Sequence, residues 1–265
     1  MDFFQAFIIA VVEGLTEFLP ISSTAHMKFV GPLVGLKGNT PFTDMFEVVI
    51  QLAAILAVVV LYRKKFFNFK KPEFYIKLVV AVIPSMVIAL LFKKNIDAAL
   101  GNLTFIAYIM LGGGILLLFV DRIFNHPMFD SEETVNYRRA FVIGCGQVLA
   151  IVFPGFSRSA ATIITGMAQK LTRKEAAEFS FFLAVPTMFA ASAKSFFDTY
   201  KDHPEVLGSS NLTTLLMGSA VSFIVALIAI KFFIGFLKKH GFFVWGIYRI
   251  IVGILILFLI QKGIL

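Results

Sequence analysis

The chain has 265 residues, 58% of them hydrophobic and 15% charged, with a mean hydropathy of +0.88. A soluble domain carries about 25% charged residues, so this composition excludes an ordinary water-soluble fold and points to a lipid bilayer. The net charge of +8 comes with no soluble basic domain to carry it, so it is read as cationic loops beside membrane spans and not as a nucleic-acid surface.

The first apolar stretch contains Glu13 and Glu17 and lacks a small-residue cleavage site, so it is not read as a signal peptide. Residues 3–34 are interrupted at Leu19-Pro20-Ile21-Ser22-Ser23. Proline removes a backbone donor and breaks a helix. Each half is then too short to span, which predicts a re-entrant helix–loop–helix. Full spans are expected at about 42–62, 74–92 and 103–121. A second broken stretch, 139–170, is interrupted at Phe153-Pro154-Gly155-Phe156-Ser157. Three more spans are expected at about 175–197, 212–236 and 243–261. Broken backbone is tolerated at membrane depth only where protein buries it or a wet cavity lies beside it. The single Cys145 excludes an internal disulfide and is expected to pack as a small apolar residue.

The halves match in order. Setting Pro20 on Pro154 pairs Ser23 with Ser157 and Glu13 with Gln147. Glu47 with Leu52-Ala53 matches Glu178 with Leu183-Ala184, and Ser85 to Leu90 matches Ser222 to Leu227. Gly114 to Phe119 then matches Gly253 to Phe258. The expected fold is an all-α polytopic membrane protein, one membrane domain over 1–265. Its inverted-topology repeats are about 1–125 and 138–265, each one re-entrant hairpin and three spans. Three crossings per repeat invert the second copy, so the hairpins enter from opposite faces and meet near the midplane, where such folds place their sites.

Loop charge sets the orientation. Arg63, Lys64, Lys65, Lys70 and Lys71 share one side with Arg122, Arg138, Arg139, Lys170, Arg173, Lys174, Lys238 and Lys239. The other side has Lys28, Lys37, Lys93, Lys94 and Lys201, diluted by Asp198, Asp202 and Glu205. The first side is therefore expected in the cytoplasm, and the first hairpin opens outward.

Glu13 and Glu17 stand four apart on one helix face. Two carboxylates on an apolar helix are costly in a membrane, so they are candidates for acid–base work or for holding Mg²⁺ or Ca²⁺ through oxygen ligands. Ser22, Ser23, Thr24 and His26 follow the first break; a cap uses one hydroxyl, not three and a His. His26 can exchange a proton near neutral pH, and a Ser beside a His can be a nucleophile. Around the second break, Gly155 allows close backbone approach, and Ser157 and Ser159 stand at a helix start that favours an anion. Arg158 adds a donor fork matched to phosphate, with Thr162 one turn on. Glu47, Gln51 and Glu178 are expected to support the hairpins. Asp44, Lys194 and Lys231 are expected at span ends, and His126, His203 and His240 in loops.

These residues resemble the undecaprenyl pyrophosphate phosphatase family, also known as bacitracin-resistance proteins. The family's Glu/Gln-x-x-x-Glu motif is matched by Glu13 to Glu17, its Ser-Ser-Thr-x-His stretch by Ser22 to His26, and its Pro-Gly-x-Ser-Arg-Ser-x-x-Thr motif by Pro154 to Thr162. The resemblance implies hydrolysis of undecaprenyl pyrophosphate to the monophosphate and inorganic phosphate, which recycles the carrier lipid for peptidoglycan and confers bacitracin resistance. It also implies a bacterial plasma-membrane location, a divalent cation and a site reached from the outer face.

On this reading Ser22, Thr24, Gly155, Ser157, Ser159, Thr162 and Arg158 bind the phosphates. Glu13 and Glu17 hold the cation, or one of them acts as base. Ser23 is the candidate nucleophile with His26 as its acid or base, and a water activated by His26 or Glu17 is the alternative. The partners are the polyprenyl pyrophosphate and membrane lipids; a homodimer is left open. The rival from another class is a lipid-phosphate transporter, because inverted repeats are a transporter architecture. The unrelated acid-phosphatase-like membrane class shares only a Ser-Arg pair with this chain.

Overall fold

The computed structural model describes residues 1–36, 40–131 and 134–265; Lys37, one of the loop cations counted above, lies outside them. The described residues form an all-α bundle. In chain order the helices are α1 Phe3–Thr16, α2 Ser23–Leu33, α3 Pro41–Leu61, α4 Arg63–Phe66, α5 Pro72–Leu91, α6 Lys93–Leu100 and α7 Leu103–Ile123. After them come α8 Tyr137–Val152, α9 Arg158–Ala168, α10 Arg173–Asp202, α11 Ser209–His240 and α12 Phe243–Gln261. Six of them, α3, α5, α7, α10, α11 and α12, are long and apolar enough to cross a membrane. They match the six expected spans. α10 and α11 run several residues past the expected ends because their terminal turns are polar, where hydropathy is silent but the helix continues.

Both expected breaks are present. α1 and α2 flank the first, and α8 and α9 the second. α1 packs on α11 and α8 on α5; α3 packs on both α10 and α11; α7 packs on α12. In a bilayer the lipid is as apolar as leucine, so packing and interhelical hydrogen bonds hold such contacts together. Two bonds tie the centre: Ser192 Oγ donates to the Val48 carbonyl (2.9 Å), and Ser222 Oγ to the Ile50 carbonyl (3.0 Å). Bonds of this kind contribute about 0.6–2 kcal/mol each.

One side chain lies elsewhere than expected. Cys145 is exposed on α8, because that helix turns its Gly144 and Gln147 face inward and Cys145 outward. Lys231 lies within α11 and is exposed, and Lys194 lies within α10, paired with Asp198 at 2.5 Å. Both helices continue past these lysines, to Asp202 and His240. His240 is the last residue of α11, where a cation suits the helix C-terminus. Glu178 pairs with Lys65 (3.7 Å) and Lys174 (3.5 Å) at the lysine-rich end. Glu47 pairs with Lys28 of α2 at 3.1 Å and so braces the first hairpin.

Candidate active site

The two breaks have the same local build. Ser22 caps α2, its side chain accepting from the Ala25 N–H, and Ser157 caps α9 by accepting from the Ala160 N–H, both at 3.3 Å. Both serines hold a positive φ, 70° and 79°, a conformation that costs a non-glycine residue of order 1–3 kcal/mol and persists only where the surroundings impose it. Aligning the prolines pairs Ser23 with Ser157, but the caps that correspond are Ser22 and Ser157. From proline to cap the second break is one residue longer, Pro154 to Ser157 against Pro20 to Ser22, and Gly155 at φ 96° lies in that stretch. A methyl at Gly155 would stand 2.6 Å from the Ile106 carbonyl of α7, so only glycine lets this loop lie on that helix.

The breaks are joined side chain to backbone and side chain to side chain. Ser159 Oγ donates to the Leu19 carbonyl at 2.8 Å, and Ser157 Oγ stands 3.0 Å from Ser159 Oγ. Arg158 Nη2 pairs with Glu17 Oε1, across 141 residues of chain. The other Glu17 oxygen accepts from Ser23 Oγ at 2.5 Å. One carboxylate is therefore held by a guanidinium on one side and accepts a hydrogen bond from a serine on the other. Arg158 Nη1 donates to the Ser180 carbonyl at 3.3 Å, while its Nε is buried with no acceptor among the described residues.

A cavity of about 710 Å³ opens over this group. Of the candidate residues, Glu17, Ser22, Ser23, Thr24, Gly155, Ser157 and Arg158 line it. Its walls add Gln51, Ser85, Gln147 and Thr187, and an apolar strip from Val82, Met86, Leu90, Ile151 and Met188; Lys93, Asp97, Lys194 and Asp198 stand among its lining. At the starts of α2 and α9 the N–H groups of Ser23, Thr24, Arg158 and Ser159 have no acceptor among the described residues. Two helix N-termini, a guanidinium and hydroxyl groups thus meet at one cavity, a donor-rich setting suited to phosphate oxygens.

The remaining candidates lie behind that wall. Glu13 is fully buried beneath the cavity, both carboxylate oxygens without a hydrogen-bond partner among the described residues. Thr162 Oγ1 donates back to the Arg158 carbonyl (2.9 Å) and meets Ser180 Oγ at 2.6 Å. His26 is buried, with Nδ1 2.7 Å from the Ser22 carbonyl and Nε2 2.8 Å from the Tyr248 hydroxyl. A carbonyl only accepts, so Nδ1 carries a proton, and Nε2 of the neutral ring accepts a hydrogen bond from the Tyr248 hydroxyl. Both nitrogens are thereby spent on holding the first break. Among the described residues no three His, Cys, Asp or Glu side chains converge as a metal-ligand group. A cation held by one or two carboxylates plus substrate phosphates needs fewer protein ligands, and the unpartnered oxygens of Glu13 are the ones not already engaged.

Arg249, on α12, was not a sequence candidate, yet it ties the site together. It is completely buried. Nε donates to the Met110 carbonyl (3.1 Å), Nη1 to those of Pro20 (3.0 Å) and Phe156 (2.7 Å), and Nη2 to those of Gly155 (2.8 Å) and Ile109 (3.5 Å). All five guanidinium donors are used, three of them on the two breaks. Its sequence signal was an ionisable residue inside the apolar run 243–261, facing Gly113 and Gly114 of α7.

Residues 6–255 match the family of the bacitracin resistance protein BacA. A protein named undecaprenyl-diphosphatase from Flavobacterium psychrophilum is 51% identical over 97% of this chain and 95% of its own length. Those of the same name from Porphyromonas gingivalis, strain W83, and Bdellovibrio bacteriovorus are 47% identical (100% of this chain, 99% of theirs) and 42% identical (99% and 98%).

Proposed function

This chain belongs to the bacitracin resistance protein BacA family, and from that premise we propose how its cavity works as a membrane phosphatase on undecaprenyl diphosphate, the compound for which its relatives are named. It is a multi-pass membrane hydrolase that yields undecaprenyl phosphate and inorganic phosphate, a step that returns carrier lipid to envelope synthesis. One observation carries the mechanism: Glu17 holds Ser23 by one oxygen and Arg158 by the other, inside a cavity lined by two free helix N-termini.

Arg158, whose side chain is partly exposed in the cavity lining, binds the terminal phosphate. Ser23 Oγ gives its proton to Glu17 and attacks the terminal phosphorus; the bridging P–O bond breaks and the lipid monophosphate leaves. Water then cleaves the phosphoserine: its oxygen bonds the phosphorus and keeps one proton, Glu17 returns its proton to the departing Ser23 Oγ, and the second water proton passes to the freed Glu17 carboxylate and on to solvent. Phosphoryl transfer needs chiefly positioning and charge stabilisation, and the donors described above supply both. In the alternative route, Glu17 takes the proton of a water that attacks directly. His26 acts in neither route by direct contact; it fixes the Ser22 carbonyl and hence the start of α2. Glu13, whose two oxygens have no partner among the described residues, would hold Mg²⁺ or Ca²⁺ together with Glu17, and the cation would supply charge neutralisation of the diphosphate. The apolar strip of α5, α8 and α10 takes the first prenyl units.

The proposed setting is the bacterial plasma membrane, with the lysine-rich end in the cytoplasm and the cavity open to the outer face. The helix pairing supports two inverted repeats: α1 on α11 answers α8 on α5, and α3–α10 and α7–α12 pair corresponding elements.

Turnover of the prenyl diphosphate in detergent, with cation supplied, is the test. Ser23→Ala and Arg158→Ala are each expected to lower kcat at least about 10²-fold, the scale of a lost general-base or electrostatic contact. Near-normal turnover of Ser23→Ala eliminates the covalent route, and near-normal turnover of Arg158→Ala removes the site itself.

A further inference from the structure

Arg249 lies outside the cavity lining and touches no residue that handles phosphate through its side chain. Its contacts nevertheless decide which way the backbone of the breaks faces. In a trans peptide the C=O of one residue and the N–H of the next point in opposite directions, and no peptide here is cis. The Phe156 carbonyl is drawn to Arg249 Nη1 at 2.7 Å. The Ser157 N–H is therefore turned to the opposite side of that peptide, and it has no acceptor among the described residues. Ser157 itself lines the cavity. The Gly155 and Pro20 carbonyls are gathered on the same guanidinium. A carbonyl oxygen turned into a diphosphate site would repel the ligand, and an N–H attracts it.

We propose that Arg249 is a positioning residue of the phosphate site: by collecting the carbonyls of Pro20, Gly155 and Phe156, it presents the Ser157 N–H to the charge that develops on the transferring phosphoryl group. The proposal rests on the phosphatase reading. A structural staple would only hold the breaks together; a positioning residue changes what the cavity offers to the transition state. Such a donor strengthens as charge develops, so its loss falls on kcat, while ground-state binding through Arg158 persists.

Two variants test it. Arg249→Lys keeps the charge but loses the planar fork, so it cannot reach carbonyls on both breaks. Gly113→Ala keeps Arg249 and sets a methyl against its Nη2 and 2.9 Å from its Cζ, displacing the fork that holds Gly155. Each is purified in detergent and its monodispersity and thermal unfolding recorded, so that a misfolded variant is recognised and the other decides. For a folded variant we expect kcat about 10²-fold lower with KM within about threefold, the pattern of one lost transition-state donor. Calorimetric affinity for orthovanadate, which adopts the trigonal-bipyramidal shape of phosphoryl transfer, falls by the same factor; affinity for methylene diphosphonate does not. A folded variant with wild-type kcat and vanadate affinity overturns the proposal, as does a KM rise that accounts for the whole loss. If the wild type does not hydrolyse prenyl diphosphate, the phosphatase reading fails, and vanadate binding still decides the positioning role: wild-type protein that does not bind vanadate overturns it.

Discussion

At Glu17 a single carboxylate performs two tasks, because each of its oxygens has its own partner. Removing one partner of a buried pair leaves the other charge uncompensated, which costs about 3–5 kcal/mol. Glu17→Gln is accordingly expected to abolish turnover and also to lower the unfolding temperature, and a variant that unfolds like wild type while turning over normally would contradict the pairing. The roles of Tyr248 and Ser23 separate in the opposite way. Tyr248 bonds His26 behind the wall and touches no cavity group, so Tyr248→Phe should lose about 1 kcal/mol, one hydrogen bond's net worth, with kcat and KM close to wild type. Comparing its melting curve with its kinetics checks this directly. Residue types and spacing in the two motifs were legible from the chain alone. The pairing of Glu17 with Arg158 was not, since no local period connects positions so far apart.

At the scale of elements, the two helix breaks are where backbone and chemistry meet. A proline, a strained serine cap and a run of free N–H groups recur at each. Replacing a serine cap by alanine typically costs about 1 kcal/mol; Ser157→Ala also removes the hydroxyl that meets Ser159, so it should be both less stable and less active. Gly155→Ala is the sharper change, because φ is positive and the Ile106 carbonyl leaves no room for a methyl. We expect activity to fall steeply while the six spans remain inserted, and circular dichroism beside the turnover assay distinguishes this from global unfolding. Both breaks could be placed from Pro, Gly and Ser alone. Their one-residue difference in proline-to-cap spacing could not, because more than one serine follows each proline and only the backbone decides which of them caps the helix.

Over the whole molecule, α5 and α10 run from the lysine-rich end, where Lys65 and Lys174 pair with Glu178, to the cavity mouth at Lys93 and Lys194. Positive charge gathers on the cytoplasmic side of membrane proteins, so the cavity should open outward. The chain has one cysteine, which makes the experiment simple: in Cys145→Ala, a cysteine placed at Asp97 should react with a membrane-impermeant maleimide from outside intact cells, and one placed at Lys70 only after permeabilisation. The reverse pattern would invert the assignment. Removal of divalent cations by a chelator should suppress turnover reversibly if Glu13 and Glu17 hold a metal, and unchanged activity in chelator would leave Glu13 without that role.

By itself the sequence determined the solvent, the spans and the breaks. Apolar runs of bilayer length can bury their backbone polar groups only as helices, and proline cannot continue one. It also marked the polar groups at the two breaks, because hydroxyl, carboxylate and guanidinium groups are expensive in lipid unless they have a purpose. Only the tertiary structure decided which of those groups face the cavity. His26 looked like the partner of Ser23, being three residues away, yet its ring is turned to Tyr248 while Ser23 meets Glu17. Arg249 stood in an apolar span with no motif around it, and packing of α12 on α7 brought it to both breaks. Helical period predicts neighbours within about four residues; contacts between helices depend on how the bundle packs, and that is where the site was assembled.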